Sequence, residues 1–252
     1  MAVVKANAYG SDMLRVAKKL ESLNVDYFAV AYSFEGVKLR RNGITKPILV
    51  LIPQVENIKE IVSNGLEPSL YSFYFLNHFI SYLNEYSAGP FPCHFKINSG
   101  LNRVGFKSEE INLAISKINN CKKIKLVGLY SHLAASEDEN EKEFTLAQIN
   151  KFSKTASEIS NQIGSSPILH MSNTSGILNF PESEFDMVRC GLGLYGYSNH
   201  FDNDLIPIHS LKTVISQIIN TEKGETVGYN RSFKCPKKMK IGIVPLGHAD
   251  GI

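Results

Sequence analysis

Eight short apolar runs alternate with helix-period segments along the first two hundred residues, and this rhythm limits the fold more than any other feature. The runs fall at residues 2–4, 27–31, 48–52, 67–70, 92–98, 126–131, 168–172 and 186–189. Between the first two, Met13, Val16, Ala17, Leu20 and Leu23 recur at helical spacing. Over 72–86 an aromatic-rich segment puts Phe73, Phe75, Leu76, Phe79, Ile80 and Leu83 mainly on one broad face, the pattern of a helix packed on a sheet. Strands alternating with helices predict an α/β fold around a parallel sheet, and eight units predict a (β/α)8 TIM-type barrel. A doubly wound sheet seldom needs eight units. No Gly-x-Gly-x-x-Gly follows the first run, which weakens a dinucleotide-binding reading further.

Beyond Pro207 the rhythm changes. Residues 210–220, 226–233 and 240–246 carry strand patterns with no helix between them, and Lys223-Gly224-Glu225 marks a turn. The expected division is a barrel over 1–205 and the beginning of an all-β domain over 206–252. Met1 stands directly against the first run, and Ile252 follows Gly-His-Ala-Asp-Gly in what looks like the middle of a strand and turn. The chain is therefore expected to be a fragment.

At 252 residues and 43% hydrophobic, the chain has material for a sizeable core. Its 27 basic and 24 acidic residues leave a net charge of +3, too balanced to argue for nucleic acid or a membrane surface. No apolar run approaches a membrane span and no secretory signal is visible, so a cytoplasmic location is expected. Four widely spaced cysteines without a Cys-x-x-Cys predict reduced thiols and no metal site.

Working residues of an α/β barrel sit at the carboxyl ends of its strands. Lys5 ends the first run, inside Val3-Val4-Lys5-Ala6-Asn7-Ala8-Tyr9-Gly10. Asn98-Ser99-Gly100-Leu101-Asn102-Arg103 follows the fifth, and Ser131-His132 ends the sixth. His170-Met171-Ser172-Asn173-Thr174-Ser175 ends the seventh and opens a helix; Arg189-Cys190-Gly191-Leu192-Gly193 ends the eighth. Together these predict a basic, hydrogen-bonding pocket suited to an anion. The segments after the seventh and eighth strands offer backbone N–H groups where barrels often bind phosphate.

The stretch around Lys5 resembles the pyridoxal-phosphate lysine motif of the alanine racemase family, and the downstream segments extend the resemblance over essentially the whole chain. The resemblance implies that Lys5 holds the cofactor as a Schiff base and is the base on one face of the substrate. It implies that Tyr9, Asn173, Thr174, Gly191 and Leu192 hold the phosphate, with Tyr195 nearby. Arg189 would face the pyridine nitrogen, and His132 would lie along the ring and bond towards Arg189. Arg103 would contact the cofactor's phenolic oxygen and the substrate carboxylate. Tyr229, in Val227-Gly228-Tyr229-Asn230, would be the base on the opposite face, supplied by the partner subunit of a homodimer. The implied activity is interconversion of L- and D-alanine by two bases, supplying D-alanine for peptidoglycan.

In some family members a lysine at the position of Lys96 is carbamylated and positions the arginine. Two departures stand out: His248 replaces a commoner tyrosine, and Thr174 replaces a serine but keeps the hydroxyl. Relative to the family, a leading strand and helix and most of the β-domain are missing, so little activity is expected of these 252 residues alone. Three rivals share the barrel. A non-catalytic pyridoxal-phosphate homeostasis protein would lack the β-rich tail and the Tyr229 motif. A fold-related decarboxylase would place a glutamate at Arg189, whereas a racemase of another small amino acid, such as serine, is separated only by assay.

Overall fold

The strand signals become seven parallel strands paired in sequence order. They are β1 (Ala2–Val3), β2 (Phe28–Val30), β3 (Ile48–Val50), β4 (Glu67–Leu70), β5 (Phe91–Lys96), β6 (Ile124–Tyr130) and β7 (Ile168–His170). The computed structural model describes residues 1–87, 89–199 and 205–251. Backbone contacts divide it into two units, Met1–Ile208 and His209–Ile252.

The eighth signal does not form a regular strand. Residues 186–190 instead hydrogen-bond to both ends of the sheet. The N–H groups of Asp186 and Met187 both donate to the Leu169 carbonyl (3.0 and 3.2 Å), and Arg189 N donates to Ser172 O (3.0 Å). On the other side Val3 N donates to Cys190 O (2.9 Å) and Cys190 N to Met1 O (3.1 Å). Two successive N–H groups on one carbonyl break the even spacing of a parallel ladder. The barrel is thus closed by an irregular stave.

Period-two alternation sorts the strand residues. Val4, Phe28, Val30, Ile48, Val50, Leu70 and Phe95 join the buried layer beneath the helices. The helix Phe73–Tyr86 contributes Phe75, Leu76, Phe79 and Leu83 to it, as its periodicity predicts. Residues facing the other way fill the barrel interior, and they are of two kinds. Met1, Val3, Tyr27, Ala29 and Leu49 form a small cluster under β1–β3. Across from them stand buried Glu67, Ser69, His94, Lys96 and His170. This polar half is what the site is built from.

The second unit pairs β8 (Gln217–Thr221) with β11 (Met239–Ile243) antiparallel, and β9 (Thr226–Val227) with β10 (Phe233–Lys234). The run expected over 226–233 is therefore not one strand. Gly228 (φ +81°) and Asn230 (φ +56°) turn it back after two residues. Among the described residues, no helix is long and apolar enough to cross a membrane.

Candidate active site

Lys5 follows β1 and begins an unusual element. Ala6, Asn7, Ala8 and Tyr9 all lie in the left-handed region, with φ between 52° and 55°. Such a turn costs non-glycine residues about 1–2 kcal/mol each, so surrounding bonds must fix it. Glu35 does much of this. Its buried carboxylate accepts from Ala6 N (2.6 Å), Ala31 N (2.8 Å) and Tyr32 N (3.0 Å), tying the turn to the mouth of β2. The Asn7 side chain accepts from Met13 N (3.2 Å) and donates to Ser11 O (3.0 Å). The turn makes Lys5 and Tyr9 neighbours on the rim of one cavity of about 500 Å³.

Arg189 enters the same cavity from the eighth stave, 5% exposed. Its Nη1 donates to His170 Nδ1 (2.9 Å) and His170 O (3.0 Å). Its Nη2 faces Ser131 O (2.7 Å), Met171 O (2.9 Å) and His132 Nδ1 (3.1 Å). Among the described residues no protein acceptor meets the Nε–H. Burial lowers the Arg189 pKa to about 10, which leaves it charged at neutral pH. Burial first, and then the nearby cations Arg189, Lys96, Arg103 and Lys5, hold His132 well below the usual histidine range, so its ring is neutral.

Lys96 stands beside this wall, 5% exposed, with Nζ 4.3 Å from the centre of the Tyr130 ring. Desolvation, followed by repulsion from Arg189 and Arg103, pushes its pKa well down. Tyr130, pushed up to about 12 by burial, keeps its proton and donates to Ser69 Oγ (2.7 Å). Arg103 reaches the cavity from the loop after β5. Asn98 pins that loop by accepting from Gly100 N (3.2 Å) and Asn102 N (3.1 Å).

Opposite lies an anion cradle. Thr174 Oγ1 accepts from Gly191 N (3.3 Å) and Gly193 N (3.1 Å), drawing the two loops together. A Cβ on Gly191 would stand 2.5 Å from the Tyr9 hydroxyl, so glycine there is what leaves room for it. Tyr9 packs on Tyr195, ring centres 5.1 Å apart. The Asn173 side chain is engaged in capping, accepting from Gly176 N (2.8 Å) and Ser136 Oγ (3.0 Å). The helix it caps, Thr174–Asn179, has only six residues, so the cradle rests on hydroxyls and backbone N–H groups more than on a dipole. Asn173, Leu192 and Ser175 also line the cavity.

Nine residues expected at the site thus share one cavity: Lys5, Tyr9 and Arg103; His132, Asn173 and Thr174; Arg189, Gly191 and Leu192. An amine, a donor lacking a protein acceptor and a cradle of hydroxyls and backbone N–H groups fit pyridoxal phosphate. The structure does not add Tyr229 to this group; it belongs to the second unit, where it is fully exposed. His248 also lies in the second unit and is exposed. Glu35, Glu67, His94 and His170 were not singled out from the sequence as site residues. His170 was quoted within its segment, and its place behind Arg189 depends on the barrel closing.

The chain matches the family models described as "Alanine racemase, N-terminal domain" over residues 1–199 and "Alanine racemase, C-terminal domain" over 208–252. An alanine racemase of Thermodesulfovibrio yellowstonii is 36% identical over 251 residues, covering 100% of this chain and 66% of that protein. One from Treponema denticola is 36% identical over 261 residues, covering 99% and 67%. The chain thus spans about two thirds of the length of these curated relatives. Among solved structures, alanine racemase of Clostridium difficile 630 superposes with a TM-score of 0.80 at 33% identity, covering 99% of this chain and 67% of that one. The biosynthetic alanine racemase of Pseudomonas aeruginosa gives 0.86 at 25% identity, covering 100% and 69%.

Proposed function

The chain belongs to the alanine racemase family, and from that premise we propose that it carries the cofactor-holding part of an enzyme interconverting L- and D-alanine. The observation that supports this best is the placement of Lys5 on the rim of one cavity with Arg189 and the Thr174–Gly191 cradle. When bound, pyridoxal phosphate supplies the electron sink that makes loss of an α-proton possible.

The residues divide the remaining work. Lys5 Nζ holds the cofactor and then accepts or returns the α-proton on one face. Thr174, Gly191, Leu192, Asn173 and Tyr9 moor the phosphate. Arg189 presents an N–H that stays protonated and does not hand its proton to the ring nitrogen, which limits side reactions such as transamination. His132, held neutral, accepts from Arg189 Nη2 and keeps the guanidinium in place. Arg103 supplies a fork for the substrate carboxylate. Tyr229 Oη from a second copy of the chain serves the opposite face, so the working unit is a homodimer. D-alanine made this way would feed peptidoglycan, in the cytoplasm.

Lys96 completes the picture. Burial and the charges of Arg189 and Arg103 favour the neutral form of this amine, and a neutral amine adds CO2: the N–C bond forms as one C–O π bond opens to give the carboxylate, one N–H proton leaves to solvent, and a neutral site becomes an anionic one. Native mass measurement of the intact protein is expected to show one added CO2 that Lys96→Arg removes. An unmodified mass would reject the carbamate.

Complementation tests the two-base dimer. In a chain extended to the full length of its relatives, Lys5→Ala and Tyr229→Phe should each be nearly inactive alone. Mixed and reassembled, they should recover about a quarter of the parent rate, because half the dimers are then hybrids with one intact site. No recovery, with hybrids demonstrated, would contradict a base supplied across the interface.

A further inference from the structure

Behind Arg189 a row of buried polar groups runs through the barrel interior. His170 Nε2 lies 2.9 Å from His94 Nδ1, and His94 Nε2 lies 3.0 Å from Glu67 Oε2. Tyr27 Oη donates to the same Glu67 oxygen. Both imidazoles are 0% exposed, and Glu67 is 8% exposed. The row belongs to no part of the chemistry assigned so far.

Its proton positions follow from its two ends. A guanidinium only donates, so His170 Nδ1 must accept and His170 must carry its proton on Nε2. That proton points at His94 Nδ1, which must then accept, leaving the His94 proton on Nε2 facing Glu67. The carboxylate, which only accepts, is met by that proton, so both ends agree with this assignment. A one-way chain therefore joins a fixed anion to Arg189 through two neutral rings, and such chains polarise along their length. The sequence makes room for it: a Cβ on Gly128 would stand 2.1 Å from His94 Nδ1, so glycine on β6 admits the ring.

Taking the cofactor reading above as given, we propose that Glu67 is a positioning residue: through His94 and His170 it fixes which Arg189 donors are consumed and so leaves the Nε–H for the cofactor ring. Glu67 touches neither substrate nor cofactor and acts only through this chain.

Histidine ¹⁵N spectra of the protein without cofactor test the chain independently of the cofactor reading. His94 and His170 are expected as neutral rings protonated on Nε2. Glu67→Gln should shift the ring nitrogens of both, whereas Asp12→Asn, which caps a helix at the exposed surface by accepting from Leu14 N and Arg15 N, should shift neither. Either ring protonated on Nδ1, or a response confined to His94, would overturn the proposal. With pyridoxal phosphate added, Glu67→Gln should weaken binding by roughly tenfold, the size of one charge-assisted bond. It should also move the visible absorption of the bound cofactor. Neither effect should appear in an Arg189→Ala background. Equal effects in both backgrounds would overturn the positioning role. Loss of cofactor capture by the parent protein, with the ¹⁵N pattern intact, would strike the cofactor reading instead.

Discussion

At the scale of single residues, Lys5 and Gly191 were legible because their meaning is local. An amine ends a buried strand, and a glycine-rich turn follows another. Gly191 makes a quantitative case. Alanine there would set a methyl 2.5 Å from the Tyr9 hydroxyl, and Tyr9 would have to leave the cradle or the turn would have to move. Overpacking of this kind costs about 1–3 kcal/mol. Gly191→Ala should therefore weaken pyridoxal-phosphate affinity by roughly tenfold to a hundredfold, and equilibrium dialysis checks it. Tyr9→Phe combined with Gly191→Ala should recover part of the loss by removing the clashing oxygen. Glu67 and His94 had no such local signal. Each sits in an ordinary strand, and only the closing of the barrel brings them into line behind Arg189.

Among elements, the left-handed turn Lys5–Gly10 has the least precedent in its sequence. Nothing in Ala6-Asn7-Ala8-Tyr9 favours four successive positive φ angles, and the sequence marked only the end of a strand there. The conformation is imposed from outside, by Glu35 on a helix nearly thirty residues away and by Asn7. Glu35→Ala would leave three part-buried N–H groups without their carboxylate, at up to about 1–3 kcal/mol. Hydrogen exchange should show faster exchange at residues 6–9 with the helix Phe73–Tyr86 unchanged. Uniform acceleration across the barrel would mean that Glu35 supports the fold at large. The eighth stave differs from expectation for a related reason. Residues 186–190 carry strand-like side chains, but the shared Leu169 carbonyl removes the even spacing that a ladder requires. In the second unit, positive φ at Gly228 and Asn230 interrupted what alternation alone had joined.

For the whole molecule, the alternation of strand and helix foretold the barrel, because burial on both faces of a parallel sheet writes itself plainly into sequence. What it could not foretell is how much charge the interior holds. His132 and His170 are kept neutral well below the usual histidine range by burial and by Arg189. In the unfolded chain they protonate near pH 6.5. As pH falls below that value the unfolded state binds more protons than the native one, so stability should fall by up to about 1.4 kcal/mol per pH unit for each histidine. Urea unfolding at pH 7.5 and pH 5.5 checks the sign; equal stability would contradict two buried neutral rings. The most direct test of the central claim is chemical. Pyridoxal phosphate is bound to the protein, reduced with borohydride, and the modified peptide is mapped by mass. A single adduct on Lys5, lost in Lys5→Ala, is the predicted result, and an adduct spread over surface lysines with Lys5 unmodified would contradict it.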